Sequence, residues 1–286
     1  MSSWELEIYH STWAMERHHP EHPEWSLQQQ CEMLVEAGFE GVNIDLVTPF
    51  IPPIEILDKT LRDWGLSNSI CAFPATLDDV RHSLDQCVRL DATALVLNAR
   101  IFPFEVGACV DFVGRSLDMG AESGIPVQFE THRFTLTNDL LFTCQLLDQV
   151  PQLELVADLS HYVVGREIPY PVDSFHQSLI GKILSRAASI QGRVASREQI
   201  QIPLHFPQSR KWVEQFYTWW AEGIRLWRER NPEGGRFNFT CELGPPEYAM
   251  TDARGYELSD RWQESLLLKD RVEQLWQVET GSDTSA

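Results

Sequence analysis

The chain has 286 residues, which suits one (β/α)8 barrel of typical length or two ordinary domains. Its apolar content of 43%, with 10 Trp and 14 Phe, supports a large core and excludes an intrinsically disordered protein. The formal net charge of −19 argues against nucleic acid as a partner, because phosphate binding needs clustered Lys and Arg.

The six cysteines form no CxxC pair, and nearly all of them lie in apolar periodic segments. This pattern predicts small buried side chains in a reducing compartment rather than a disulfide framework or a zinc site. The sequence shows no secretion signal and no apolar run long enough to span a bilayer. We therefore expect a cytoplasmic protein with no membrane partner.

The first strand is predicted where apolar and polar residues alternate from Trp4 onward. The loop that follows, residues 16–25, contains His18, His19 and His22. A metal-binding tract is one interpretation of these three histidines. Prolines interrupt their spacing, which favours a loop near the mouth of a site.

Strands and helices then alternate along the whole chain. Further strands are predicted at 41–46, 68–73, 92–100, 125–130, 153–158, 189–194 and 237–242, of which 189–194 is the weakest. Helices are predicted at 26–38, 54–64, 76–91, 106–124, 137–150 and 259–277. Two more are predicted without exact bounds, one through Leu179, Ile183 and Leu184 and one around the aromatic residues from Trp212 to Trp220. Because GxGxxG and P-loop motifs are absent from the sequence, eight such units favour a closed barrel and no nucleotide cofactor. We expect residues 1–280 to form this single (β/α)8 TIM barrel and residues 281–286 to be a disordered tail.

Carboxylates end three of the predicted strands: Glu130, Asp158 and Glu242. Taken singly, each is equally consistent with a turn cap or a solvated loop acid. In a parallel barrel, however, the carboxyl ends of the strands meet at one mouth, where chemistry is placed. Clustered acids raise one another's pKa unless a cation lies between them, and oxygen ligands suit magnesium or manganese. The pattern therefore predicts one divalent metal ion at this mouth.

Four motifs carry a resemblance to a known family: FETHR (129–133), ADLSHYVV (157–164), QGRV (191–194) and CELGPPEY (241–248). With them, nearly the whole chain resembles the xylose isomerase-like TIM barrels, also called the sugar phosphate isomerase/epimerase group. The resemblance implies a small-molecule sugar substrate and a divalent ion. It implies Glu130, Asp158, Gln191 and Glu242 as metal ligands, with His132, Arg133, His161 and Arg193 as substrate-binding residues.

The activity implied by the resemblance is isomerisation or epimerisation of a hydroxycarbonyl sugar, with Glu130 and Glu242 moving the proton. Gln191 departs from the family, which usually has a metal-binding His on strand seven. It is expected either in the metal shell or hydrogen-bonded within the barrel wall. Arg193 is equally consistent with a contact to a substrate anion and with a salt bridge to a neighbouring acid.

Two other classes stay open within the same family. Abasic-site endonucleases use three zinc ions and several His ligands, and the missing strand-seven His and the acidic charge argue against that class. A biosynthetic lyase or hydrolase, or a non-catalytic binding member, is favoured by the altered ligand at Gln191. The Trp-rich helices also leave room for a homo-oligomeric interface.

Overall fold

A computed structural model describes residues 3–18, 21, 23–49 and 51–281. Its strands pair in parallel and in chain order, and the eighth closes on the first, so the sheet is a closed barrel. The (β/α)8 barrel predicted from the sequence is therefore confirmed. The strands are β1 (Ser3–Ser11), β2 (Gly41–Asp45), β3 (Ser67–Ala72), β4 (Leu95–Leu97), β5 (Val127–Glu130), β6 (Leu155–Ala157), β7 (Ala187–Gly192) and β8 (Gly234–Cys241).

Helices cover the outside of this barrel and alternate with the strands. They are α1 (Leu27–Glu36), α2 (Ile54–Trp64), α3 (Leu77–Leu90), α4 (Gly107–Ser123), α5 (Leu140–Gln149), α6 (Ser160–Gly165), α7 (Ser174–Leu184), α8 (Arg210–Arg230) and α9 (Arg261–Thr280). The short helix α6, directly after β6, has no counterpart in the sequence prediction. It matters because its first turn holds one of the candidate site residues.

Several element boundaries differ from the prediction, and two of the differences lie close to the predicted acids. The fourth strand is only three residues long, because the segments on either side of Leu95–Leu97 are loop. Helix α5 begins at Leu140 rather than at Thr137, since the Asp139 side chain accepts a hydrogen bond from the Phe142 N–H and caps the helix. The Thr137 hydroxyl instead donates to the Glu130 carbonyl and ties down the loop beside the candidate site.

The main core lies between the barrel and its helices. Trp219 and Trp220 of α8 are fully buried, and the Trp220 ring packs on the Phe239 ring of β8. The sequence interpretation of α8 as core packing is therefore confirmed. All six cysteines are buried and free, as expected.

The barrel interior is polar near its N-terminal end. Asn43 donates to Ser69 between the neighbouring strands β2 and β3, and Ser189 donates to Gln128 between β7 and β5, each at 2.9 Å. They line a cavity of about 460 Å³ that reaches up to Gln191. This cavity lies at the opposite end of the strands from the three predicted acids.

Several predictions concern segments at the margin of the described ranges. His18 stacks on Trp25 and lies 3.4 Å from the Asp260 carboxylate, whereas His19 and His22 fall outside the described residues. The predicted tail also falls outside them, except for Gly281. Among the described helices, none combines the length and apolarity needed to cross a membrane.

Candidate active site

The three strand-end acids meet at the C-terminal mouth of the barrel. Glu130 is the last residue of β5, while Asp158 and Glu242 directly follow β6 and β8. Alternate residues of a strand share a face, so Asp158 lies above inward-facing Val156, which pairs with Glu130. One carboxylate oxygen from each acid lies within 4.8 Å of the others, and the three residues could together hold a metal ion.

The cluster is shielded from water, and this decides its protonation. Burial, followed by the charges of Glu242 and Asp158, raises the pKa of Glu130 well above its usual range. Burial also raises the pKa of Glu242 to about 7, although Arg193 opposes the shift. The pKa of Asp158 is raised by burial against the same arginine. At neutral pH, the cluster therefore holds a proton that it can exchange.

Glu130 is held by two amide side chains. Its Oε2 accepts hydrogen bonds from Asn98 Nδ2 at 2.7 Å and from Gln191 Nε2 at 3.3 Å. Asn98 follows β4, and Gln191 lies on β7, where it pairs with Thr240. Two neutral donors fix the carboxyl group without supplying a compensating charge, which is consistent with its raised pKa.

Asp158 has both oxygens occupied by donors. Its Oδ1 accepts hydrogen bonds from the backbone N–H and the hydroxyl of Ser160, at 2.9 and 2.5 Å, in the first turn of α6. Its Oδ2 accepts from Arg193 Nη1 at 2.9 Å and lies 3.4 Å from His161 Nε2. The carboxylate is therefore rigidly oriented, and a single oxygen faces the other acids.

Arg193 is the central cation of the cluster and is 1% exposed. Besides its bond to Asp158, its Nε donates to the Glu242 carbonyl at 3.1 Å. Its Nη2 lies 3.0 Å from Glu242 Oε2, a close ion pair without the alignment of a hydrogen bond. Of the two sequence interpretations of Arg193, the salt bridge to an acid is the one present in the structure.

Two neutral imidazoles flank this cation. The rings of His132 and His161 lie 4.0 Å apart. Burial, with the nearby arginines, lowers the pKa of His132 to about 3 and that of His161 well below its ordinary value. His161 Nε2 lies 3.2 Å from Arg193 Nη1, so an unprotonated nitrogen can accept that bond. Both rings can thus make hydrogen bonds to a ligand without adding charge.

Aromatic rings cover the guanidinium from above. Arg193 lies 4.8 Å from the Tyr248 ring centroid and 5.7 Å from that of Trp13, and these two rings pack edge to face. Arg133, which is exposed, lies over the same Tyr248 ring at 4.7 Å. The structure thus brings all eight residues implied by the resemblance to one mouth.

Sequence reasoning missed four contributors to this site: Trp13, Asn98, Ser160 and Tyr248. Asn98 stands at the end of a predicted strand, and Tyr248 closes the CELGPPEY motif, so each carried a positional signal. Trp13 carried none. It reaches the mouth from the short 3-10 helix after β1, which the closure of β1 onto β8 brings beside the β8 loop.

The donor set fits a hard divalent cation. Three carboxylates are supplemented by Gln191 Oε1, a buried oxygen that has no hydrogen-bond partner among the described residues. All-oxygen ligands match magnesium or manganese better than zinc. In the structure, the Gln191 amide nitrogen donates to Glu130, which leaves its oxygen as the atom able to bind an ion.

Fold and site together define a (β/α)8 barrel with a buried carboxylate cluster at its C-terminal mouth. The chain matches no protein-family model and no curated protein sequence. Among solved structures, it is similar to the D-allulose 3-epimerase of Methylomonas sp. in complex with D-allulose, with a TM-score of 0.59 and 15% identity over 98% of this chain and 100% of that one.

Two further structures show the same likeness. A xylose isomerase-like TIM barrel protein from Mycobacterium smegmatis in complex with magnesium has a TM-score of 0.61 and 16% identity, covering 96% of this chain and 100% of that one. The probable 3-DHS dehydratase of Bacillus anthracis has a TM-score of 0.56 and 16% identity, covering 92% and 98%. The fold is therefore that of the xylose isomerase-like TIM barrels, as the sequence motifs predicted.

Proposed function

We propose that this protein is an isomerase or epimerase of a sugar or sugar-like hydroxycarbonyl compound. The observation that carries the proposal is the pair of buried glutamates, Glu130 and Glu242, which face one site with raised pKa values. A carboxyl group with a pKa of about 7 can both take a proton from carbon and return it at neutral pH. Two such groups at one mouth supply the acid and the base that the reaction needs.

The surrounding side chains suit a polyhydroxylated substrate. His132 and His161 are neutral and can bind hydroxyl groups by hydrogen bonds. Arg133 lies exposed at the rim and can contact the distal part of the substrate, and Arg193 can reach an oxygen near the carboxylates. The Trp13–Tyr248 pair keeps water from the acids, which preserves their raised pKa.

In this proposal, Glu130, Asp158, Gln191 and Glu242 would hold one divalent ion, magnesium or manganese. When bound, it polarises the carbonyl group and stabilises negative charge on the adjacent oxygens. Among the structural neighbours, an epimerase is bound to D-allulose and a xylose isomerase-like barrel is bound to magnesium, which supports both parts of the proposal. No nucleotide cofactor is part of it.

Incubation with a panel of aldoses and ketoses in deuterated water, with Mg²⁺ or Mn²⁺, tests the proposal. The expected result is a product with deuterium at the reacting carbon. Replacement of either acid, Glu130→Gln or Glu242→Gln, should lower turnover by about 10²–10⁴-fold. The exposed Glu214→Gln on α8 is the matched control and should leave turnover unchanged.

A product without deuterium would point instead to a metal-assisted hydride shift. A protein that is inactive on the whole panel would favour the alternative class, a biosynthetic lyase or hydrolase or a binding protein. Gln191 supports that alternative, because it stands on strand seven where the family resemblance implies a metal-binding His. Adding 3-dehydroshikimate to the panel examines the lyase reaction in the same assay.

A further inference from the structure

We propose that Arg193 is a tethered cation that competes with the divalent ion for Asp158 and Glu242. Metal then enters the site only when the guanidinium gives up these two carboxylates. The inference rests on the proposed function solely in taking the three acids as the metal site. Its test is therefore a measurement of metal binding, which is independent of turnover.

The first step of the argument is the number of contacts that Arg193 makes. Three of its nitrogens are engaged: Nη1 with Asp158 Oδ2 at 2.9 Å, Nη2 with Glu242 Oε2 at 3.0 Å, and Nε with the Glu242 carbonyl at 3.1 Å. Two of the three acids that form the metal-binding group are thus already paired with a positive charge. Glu130, the third acid, is held instead by the uncharged amide groups of Asn98 and Gln191.

The second step is that Asp158 has only one oxygen with which it can bind a metal ion. Its Oδ1 is fixed by the backbone N–H and hydroxyl of Ser160, so only Oδ2 faces the cluster, and Arg193 holds Oδ2. A divalent ion would bind that oxygen at about 2.0–2.6 Å. A doubly charged ion and a guanidinium nitrogen would then lie against one oxygen atom in a site closed to water, where their repulsion is weakly screened.

The third step is that this repulsion can be relieved only if the guanidinium moves. Arginine does not lose its proton in proteins, so its charge cannot be removed. The structure offers it a place to go. The ring centroids of Tyr248 and Trp13 lie 4.8 and 5.7 Å from its central carbon. Aromatic faces attract guanidinium groups, so a small shift toward these rings exchanges carboxylate contacts for closer cation–π contacts. The arginine is thereby released from the acids without leaving the mouth.

Calorimetric titration with Mn²⁺ and Mg²⁺ measures the competition directly. Arg193→Met, which removes the competing charge, should bind Mn²⁺ at least tenfold more tightly than the wild type. Arg193→Lys keeps a cation near the acids and should stay within about threefold of the wild type. Arg133→Met is the matched control for long-range charge, because Arg133 acts on Asp158 only through space and should also stay within about threefold.

Unchanged, weaker or absent Mn²⁺ binding by Arg193→Met would overturn the proposal, because ion and guanidinium would then bind together. An equal gain in Arg133→Met would overturn it as well, since net charge alone would explain the effect. A wild type that binds metal weakly but converts no sugar would leave this inference standing and remove the proposed function. If the wild type converts sugar and binds metal tightly, and the metal affinity is the same in the Arg193 variants, the proposed function would stand and this inference would fail.

Thermal denaturation provides a second readout. Without metal, Arg193→Met leaves Asp158 and Glu242 unpaired and should unfold at a lower temperature than the wild type. Saturating Mn²⁺ should raise its midpoint more than that of the wild type. If the variant does not fold, wild-type crystals soaked in Mn²⁺ decide the question: a guanidinium displaced from Asp158 is expected, and one still bonded to it beside the ion would refute the competition.

Discussion

Replacing Asp158 with Asn tests the buried ion pair on which the site geometry depends. The substitution keeps the shape of the side chain and removes only its charge. Ser160 donates twice to Oδ1, and Arg193 donates to Oδ2, so the aspartate meets donors on both sides. An asparagine offers one oxygen and one NH2 group. If its NH2 group turns toward Arg193, it faces guanidinium nitrogens that cannot accept a hydrogen bond; if it turns toward Ser160, the hydroxyl can accept but the backbone N–H loses its acceptor.

The expected loss of stability follows from burial. The side chains of Asp158 and Arg193 are 0% and 1% exposed, and removing one partner of a fully buried pair costs about 3–5 kcal/mol. For a chain of this size, each kcal/mol lowers the melting temperature by roughly 2–4 °C, so we expect a drop of about 10 °C. Because Glu242 still pairs with Arg193 in the variant, we expect the loss of stability to stay within this range of about 3–5 kcal/mol.

Urea and thermal denaturation of the metal-free protein measure this loss. The same substitution in a surface pair, Asp148→Asn, is the control: Asp148 lies 2.6 Å from Lys182, but both are partly solvated, and we expect less than about 1 kcal/mol. The double variant Asp158→Asn/Arg193→Met should lose less than the sum of its single changes. If Asp158→Asn were no more destabilising than Asp148→Asn, the buried ion pair of Asp158 and Arg193 would not stabilise the fold at the barrel mouth.

Three further predictions concern the scaffold. Burial lowers the pKa of His10 to about 4, so its contribution to stability is complete above pH 6.5 and is lost as the pH falls toward 4. Urea titrations of wild type and His10→Asn at several pH values should show the free energy of unfolding of the variant falling less over that range, by about 3 kcal/mol in total. Gly192→Ala should cost about 2 kcal/mol in chemical denaturation, because the added carbon would lie 2.5 Å from the buried Phe239 ring. Asp139→Ala should lower the free energy of unfolding by about 1–2 kcal/mol, because α5 loses the capping hydrogen bond from the Phe142 N–H. An unchanged thermal denaturation midpoint would contradict this capping role.

Hydrophobic periodicity and chain order account for what the sequence determined about this protein. Strand–helix alternation with eight units specified the barrel, because each strand must bury both faces and each helix one. Acids placed at the ends of buried strands located the candidate site at the C-terminal mouth, since the carboxyl ends of parallel strands share one end of a barrel. Glu130, Asp158 and Glu242 therefore followed from local pattern alone.

Only the tertiary structure decided what surrounds these acids. Arg193 was equally consistent with a substrate contact or a salt bridge, and its pairing with Asp158 depends on α6, whose first turn occupies the other carboxylate oxygen. Trp13 and Tyr248 are 235 positions apart (248 − 13) and meet because β1 pairs with β8. The direction in which Gln191 turns its amide likewise depends on Glu130, 61 residues earlier. Such contacts join distant segments through particular side-chain conformations, and a one-dimensional pattern of polarity does not encode them.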